Sequence, residues 1–285
     1  MIDVKDLCFT YPGRKEPTLK GMDFSIEQGE IFGFLGPSGA GKSTAQKILI
    51  GMLKNYQGTV RIFEQEVNEV KRSYYEKIGV AFEFPNFYQR LTAMENLSLF
   101  RNLYTGETCE PEQLLTEMEL MEAAKVKVSA YSKGMKMRLN LCRALLNKPD
   151  ILFLDEPTSG LDPLNAKKVK DKIRSLNKEG KTILITTHNM STADEICDRV
   201  AFIVDGRIAL IDSPRNLKVL HNTKKVRVEY REKDQSLETN EFDLHKIGTN
   251  NEFLSILQTN NVETIHTQEA TLEDIFIRVT GRGLK

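Results

Sequence analysis

One stretch limits the fold of this chain more than any other: Gly36-Pro37-Ser38-Gly39-Ala40-Gly41-Lys42-Ser43-Thr44. It reads G-x-x-x-x-G-K-S, the pattern of a phosphate-cradling loop (Walker A). Ahead of it, Ile31-Phe32-Gly33-Phe34-Leu35 is short and apolar, as in a parallel strand buried on both faces. Behind it, Ile48, Leu49 and Met52 stand at helical spacing and predict a helix over Ala45–Leu53. Strand, glycine loop and helix start are the setting this motif requires. Glycines let backbone N–H groups turn inward, and a helix N-terminus adds favourable partial charge for an anion. In that setting Lys42 neutralises β/γ-phosphate charge and Ser43 holds Mg²⁺. The loop alone fixes neither the nucleotide nor the reaction.

Length and charge narrow the surroundings. A chain of 285 residues can bury a real core, as one large or two smaller domains. Forty Lys and Arg cancel forty Asp and Glu, so the chain has no overall electrostatic footprint for nucleic acid. Apolar runs such as Ile151–Leu154 and Thr182–Thr186 are far short of a membrane span, and Met1–Lys5 does not resemble a secretory signal. Cys8, Cys109, Cys142 and Cys197 are scattered without a C-x-x-C pair, which fits reduced thiols in a cytosolic protein.

Taken in order, Ile2–Phe9 and Met22–Ile26 read as strands around a turn-rich Tyr11-Pro12-Gly13-Arg14. The Tyr11 ring suits stacking on an adenine and equally suits covering a sheet edge. Thr59–Phe63 and Ile78–Phe82 are further strands, the second ending at Glu83. After an aromatic-rich loop over 84–90, Thr92 and Glu95 form a capping box. The helix it opens is expected to reach Tyr104, burying Met94, Leu97, Phe100 and Leu103, and a second helix near Glu112–Met121 carries Leu114, Leu115, Met118 and Met121. The mainly helical insert spans roughly 92–128, or about 84–146 with its flanking loop and the helix that follows.

Ser132 is placed to cap that following helix, which ends near Asn147. Asn147-Lys148-Pro149-Asp150 spells N-K-x-D, a guanine-reading motif, but it precedes an apolar strand, and Pro149 marks it as a helix stop. That strand, Ile151–Leu154, ends in Asp155-Glu156, carboxylates placed where open α/β sheets bind ligands. Asp155 suits the Mg²⁺ side, and Glu156 suits orienting or deprotonating an attacking water. Asp162 caps another helix with Pro163 in its first turn, Leu164, Val169, Ile173 and Leu176 inward, and Gly180 as its stop. Thr182–Thr186 delivers His188, suited to a phosphate or water contact and also to a structural loop role. Ser191 begins a further helix, and Asp205-Gly206 predicts a hairpin. Beyond Leu220 the pattern changes to an alternating strand (Val226, Val228, Tyr230), a polar stretch over Arg231–Asn240, a short helix, a strand over Val262–Thr267 and a helix capped at Thr271. This reads as a small α+β appendage, about 221–285, after a main domain over 1–220.

Across residues 2–212 these features fall in the order of the ATP-binding cassette (ABC) ATPases, and the sequence resembles that family. Tyr11 matches its adenine-stacking aromatic, Gly36–Thr44 its phosphate loop, and Ser132-Lys133-Gly134-Met135 its signature sequence. Asp155 and Glu156 match Walker B and the catalytic glutamate, Ser159–Asp162 the D-loop, and His188 the switch histidine. The tail, Thr271–Phe276, is similar to the extension of the branch that exports drugs, antibiotics and bacteriocins. The resemblance implies an α/β P-loop NTPase core with mixed sheet and flanking helices, an antiparallel β subdomain, the helical insert and the appendage. It implies ATP and Mg²⁺ as cofactors, with Ser43, Glu83 and Asp155 toward the metal and Lys42, Glu156 and His188 catalytic. It implies head-to-tail pairing with a second cassette, expected as a homodimer, with Ser132 and Gly134 serving the other copy's nucleotide. A separate membrane permease is the expected partner, nucleic acid is not, and the expected place is the cytoplasmic face of the cell membrane. A regulatory or non-transport ATPase with weak hydrolysis is the alternative. Two positions depart from the family pattern. Glu83 stands where glutamine is common, adding charge beside the metal, and Lys133 replaces the first signature glycine.

Overall fold

The apolar runs pair side by side because each is too hydrophobic for an exposed face. The computed structural model describes residues 1–221, 225–231, 236–268 and 270–283. In chain order these contain β1 (Ile2–Phe9), β2 (Leu19–Ile26), β3 (Ile31–Leu35), α1 (Lys42–Leu49), β4 (Gln57–Ile62), β5 (Gln65–Glu66), α2 (Arg72–Tyr75) and β6 (Ile78–Ala81). Next come α3 (Ala93–Arg101), α4 (Pro111–Glu117), α5 (Lys133–Leu145), β7 (Ile151–Asp155), α6 (Pro163–Lys178), β8 (Thr182–Thr187) and α7 (Met190–Ile196). The chain continues through β9 (Arg199–Val204), β10 (Arg207–Asp212), α8 (Pro214–His221), β11 (Lys225–Arg231), β12 (Leu237–Asp243), α9 (Asn251–Thr259), β13 (Asn261–Gln268) and α10 (Leu272–Thr280).

A six-stranded sheet in the order β10-β9-β3-β8-β7-β6 forms the centre, parallel except for the β9–β10 hairpin. Alternation along its strands separates two cores. Phe32, Phe34, Ile151, Phe153 and Leu184 face α1 and a four-stranded antiparallel sheet, β2-β1-β4-β5. Leu35, Leu152, Leu154, Ile183 and Ile185 face the helical insert, with α6 and α7 beneath the sheet. A third, smaller cluster (Val226, Val228, Tyr230, Phe242, Phe253, Ile256) lies between α9 and the antiparallel sheet β12-β11-β13.

Several local expectations need correction. The helix after the phosphate loop starts at Lys42 itself, and Gly51 with φ +74° ends it, leaving Met52 exposed. Leu103 and Met121 lie beyond the ends of α3 and α4 and face solvent. Leu164 is also exposed, because Val169, Ile173 and Leu176 share a helical face that a residue five positions earlier leaves by about 140°. Helix α7 is capped by Asn189, whose side chain accepts the Thr192 N–H, so it starts before Ser191. Part of the polar stretch over Arg231–Asn240, residues 232–235, lies outside the described residues. The last helix belongs to the main core: Leu272, Ile275 and Phe276 are buried there, with Phe276 edge-on to Phe202 at 5.2 Å. An amphipathic pattern states which face is covered but not what covers it.

The N-K-x-D stretch has a structural use. Buried Asn147 donates from Nδ2 to the carbonyls of Tyr75, Glu76 and Ile78 at 3.3, 3.0 and 2.9 Å, tying the end of α5 to the start of β6. Replacing it by leucine strands those buried acceptors. Asn147→Leu is therefore expected to lower unfolding stability by about 2 kcal/mol, read from the denaturant midpoint, without changing nucleotide preference.

Candidate functional site

Four parallel strands end on one side of the central sheet, and each supplies a polar group there. The loop after β3 holds Gly36–Gly41, β6 leads to Glu83, β7 ends in Asp155 and Glu156, and β8 leads to His188. They line a single cavity of ≈ 470 Å³ with Ser38, Gly39, Gly41, Lys42, Ser43 and Thr44 on its floor, and Tyr11, Arg14 and Thr18 at its side.

Two glycines make the loop possible. A Cβ on Gly36 (φ +156°) would collide with the Ile203 carbonyl oxygen. At Gly41 (φ +110°), the N-cap of α1, a Cβ would stand 2.8 Å from Leu19 Cδ2. Gly36 and Pro37 do not line the cavity; their carbonyls accept from the Lys42 ammonium at 2.7 and 3.0 Å. Ala40 is buried behind the loop, its carbonyl accepting the Gly206 N–H at 3.0 Å. Burial pushes the Lys42 amine pKa down, while Glu156, Asp155 and Glu83 oppose that shift.

The carboxylates are crowded. Asp155 Oδ1 accepts from Ser43 Oγ at 3.4 Å and also from Thr186 Oγ1. Burial raises its pKa, and the Glu156 charge adds to this, against the pull of those hydroxyls and Lys42. Glu83 is raised by burial and then by Asp155 and Glu156, with Lys133 and His188 pulling it down. Glu156 carries backbone strain, φ +48°, which costs a glutamate about 1–2 kcal/mol. It is fixed there: Oε2 accepts from Thr187 Oγ1 at 2.9 Å, and Oε1 accepts the His188 N–H at 2.9 Å and lies 2.7 Å from His188 Nδ1. Thus the switch-position histidine is held by the glutamate it was expected to work beside.

The donor set suits a hard divalent ion: a hydroxyl and carboxylates, oxygen throughout. Among the described residues no group of three or more His, Cys, Asp and Glu encloses a metal. Mg²⁺ commonly takes one or two carboxylates and completes its shell with phosphate and water.

Tyr11 both packs and lines. Its ring meets Phe9 edge-on at 4.9 Å, and its hydroxyl shares a 3.2 Å hydrogen bond with Thr44 Oγ1. Ser132 and Gly134 do not line the cavity. Ser132 caps α5, its Oγ accepting the Met135 N–H at 3.2 Å, and Lys133 stretches its ammonium over Gly160 in the D-loop. A side chain at 160 would push the Lys133 ammonium aside, and φ +63° there is strained for any residue but glycine. Sequence reasoning missed Thr186 and Thr187 as carboxylate holders. Both are buried at the end of an apolar strand, and it is that burial, which no sequence periodicity marks, that shows their role.

Comparison with known proteins follows this geometry. Residues 19–159 match the family model described as ABC transporter, and residues 224–269 match that of the fluoroquinolone efflux ABC transporter C-terminal domain. The chain is 53% identical over 284 residues to a fluoroquinolones export ATP-binding protein of Mycobacterium tuberculosis, covering 100% of this chain and 94% of that one. It is 34% identical over 300 residues to a Nod factor export ATP-binding protein I of Neorhizobium galegae, covering 100% and 86%. A solved dimeric ATP-binding cassette in a post-hydrolysis state, bound to ADP and Pi, superposes with a TM-score of 0.68 at 30% identity, covering 75% of this chain and 98% of that one.

The crowding predicts a trade between stability and charge. A raised Asp155 pKa means the folded, nucleotide-free protein holds more protons there than the unfolded chain, so stability falls as pH rises through that window. Asp155→Asn is expected to stabilise the nucleotide-free protein by about 1 kcal/mol at neutral pH. The gain should shrink to nothing below about pH 3, where aspartate is protonated in both states. Thermal unfolding across pH checks both.

Proposed function

The chain belongs to the ABC transporter family of ATP-binding proteins, and from that premise we propose that it is the ATP-hydrolysing subunit that powers a separate export permease. The observation that carries this reading is the placement of Glu156 in one cavity with Lys42, Ser43 and Asp155, held by Thr187 and His188. The cavity offers the N-terminus of α1 and the Lys42 ammonium to phosphate, the Tyr11 ring to the base, and Ser43, Asp155 and Glu83 to Mg²⁺. Bound Mg²⁺ would neutralise charge building on the phosphate oxygens. Glu156 orients a water and accepts its proton, and His188 holds the γ-phosphate side. The contact between the two residues keeps Glu156 Oε1 from rotating away.

One copy covers this site incompletely. Ser132 and Gly134 stand outside their own cavity at the start of α5, where free N–H groups and the helix dipole favour an anion. They are read as serving the nucleotide of a second copy, so ATP acts as an adhesive between two chains. The proposed division is an ATPase domain over 1–220, with its insert over about 84–146, followed by a C-terminal unit over 221–285. Among the described residues no helix is long and apolar enough to cross a membrane. The export ATP-binding proteins that the chain resembles favour a peripheral place beneath a permease on the cytoplasmic face. The relative from Mycobacterium tuberculosis and the C-terminal match favour fluoroquinolone-type drugs as cargo.

Glu156→Gln is expected to retain ATP, to lower turnover by about 10²–10⁴-fold and to accumulate an ATP-loaded dimer in light scattering. Undiminished turnover in that variant would overturn the assignment.

A further inference from the structure

The loop between β6 and α3 carries Glu83, and its anchors come largely from α5. Asn140, fully buried in the middle of α5, donates from Nδ2 to the Phe82 carbonyl at 2.7 Å. Its Oδ1 accepts from Arg143 Nη2 at 2.7 Å, and Arg143 Nη1 donates to the Asn86 carbonyl at 3.1 Å. The guanidinium also lies over the rings of Phe87 and Phe100, 5.2 and 5.3 Å from their centroids. From α3, buried Asn96 accepts the Tyr88 N–H at 3.0 Å and donates to the Tyr88 carbonyl at 3.1 Å. Between the α5 anchors at Phe82 and Asn86 lies Glu83-Phe84-Pro85, with Phe84 75% exposed.

A leucine would fill a helix–strand contact as well as Asn140 does. A buried amide is costly unless both its ends are paired. Here one end holds the residue before Glu83, and the other orients the arginine that holds the far side of the bend. The same helix begins at Ser132, eight residues and about 12 Å of helix from Asn140.

We propose that Asn140 is a positioning residue for Glu83: with Arg143 it fastens both ends of the Glu83–Pro85 bend to α5, so that a shift of α5 is carried to the metal side of the nucleotide cavity. The inference rests on the reading of Glu83 as an oxygen ligand beside Mg²⁺, and it adds the device that sets where that oxygen stands. Because the anchors at Phe82 and Asn86 belong to one helix, events at Ser132 and the placement of Glu83 are mechanically joined within one chain.

The test uses the full chain and Mn²⁺ as the probe ion. Asn140→Asp keeps the size of the side chain and an acceptor for Arg143, but cannot donate to the Phe82 carbonyl. In a Glu156→Gln background loaded with ATP, Asn140→Asp is expected to weaken Mn²⁺ binding, read by electron paramagnetic resonance, by about tenfold. Metal-free ATP affinity should stay within about twofold. With Glu156 intact, kcat should fall about tenfold with the KM for ATP unchanged. Combined with Glu83→Ala, the Asn140→Asp loss should nearly vanish, since there is no carboxylate left to position. Parental Mn²⁺ affinity in a variant with parental melting temperature overturns the proposal, as does a loss that multiplies in full with Glu83→Ala. If Asn140→Asp does not fold, Arg143→Met must weaken Mn²⁺ binding in the same way, and a parental value there overturns it. Unchanged Mn²⁺ affinity in Glu83→Ala alone would sink the reading of Glu83 together with the clamp. A normal Glu83→Ala loss beside a silent Asn140→Asp would sink the clamp alone.

Discussion

Three carboxylates and one ammonium share one partly buried pocket, and the rest of the molecule is arranged around holding them there. Glu83, Asp155 and Glu156 repel one another, and burial raises the pKa of Asp155 and Glu83 while lowering that of Lys42. Such a set disperses unless its backbone is over-determined. The parallel strands supply that rigidity: β3, β7 and β8 are buried along almost their whole length, the carboxylates sit at or just past the ends of β6 and β7, and Lys42 opens α1 after the loop that leaves β3. A bound divalent cation would offset part of the crowded negative charge, while Thr187 and His188 already hold Glu156 in its strained conformation, so binding starts from a site already in position.

Legibility in the sequence followed how tightly the chemistry fixes residue type and spacing. The phosphate loop, Asp155-Glu156 and the capping residues Thr92, Ser132, Asp162 and Thr271 were readable because each role admits few side chains at one spacing. Asn140, Asn147, Thr186 and Thr187 were not. Their partners lie far along the chain, as Asn140 with Phe82 and Thr187 with Glu156, and no periodicity marks a polar residue inside an apolar run. Helix ends were misplaced where a tertiary contact or a left-handed glycine decided them, as at Gly51.

The C-terminal segment shows the same limit at a larger scale. Its pattern marks a small appendage after Leu220, too small to stand alone and expected to dock on a larger surface; the two helices that flank the small sheet pack on each other and on the ATPase core, a surface no sequence pattern names. Leu217 of α8 and Phe276 of α10 share the main hydrophobic cluster, and Arg278 donates to the His221 carbonyl at 3.1 Å. The sheet β12-β11-β13 therefore hangs between two docked helices. Its outer pairs, Lys225–Glu241 and Arg231–Glu263, are half exposed and contribute little to stability. At the far end Arg282 pairs with Asp205, in the hairpin turn whose Gly206 bonds to the back of the phosphate loop. The tail is thus connected to the nucleotide site through one turn.

Helix α5 is where these constraints meet. It packs so closely on β6 that a Cβ on Gly79 would collide with the Ala144 carbonyl, so only glycine allows this approach of helix and strand. At its end Asn147 binds the carbonyls leading into β6, in its middle Asn140 and Arg143 hold the loop leaving β6, and at its start Lys133 covers the D-loop glycine. Contacts at the start, middle and end of α5 thus join it to the elements around the nucleotide site. Those at its start and in its middle lead to Gly160 in the D-loop, which Lys133 covers, and to the bend whose Glu83 lines the nucleotide cavity.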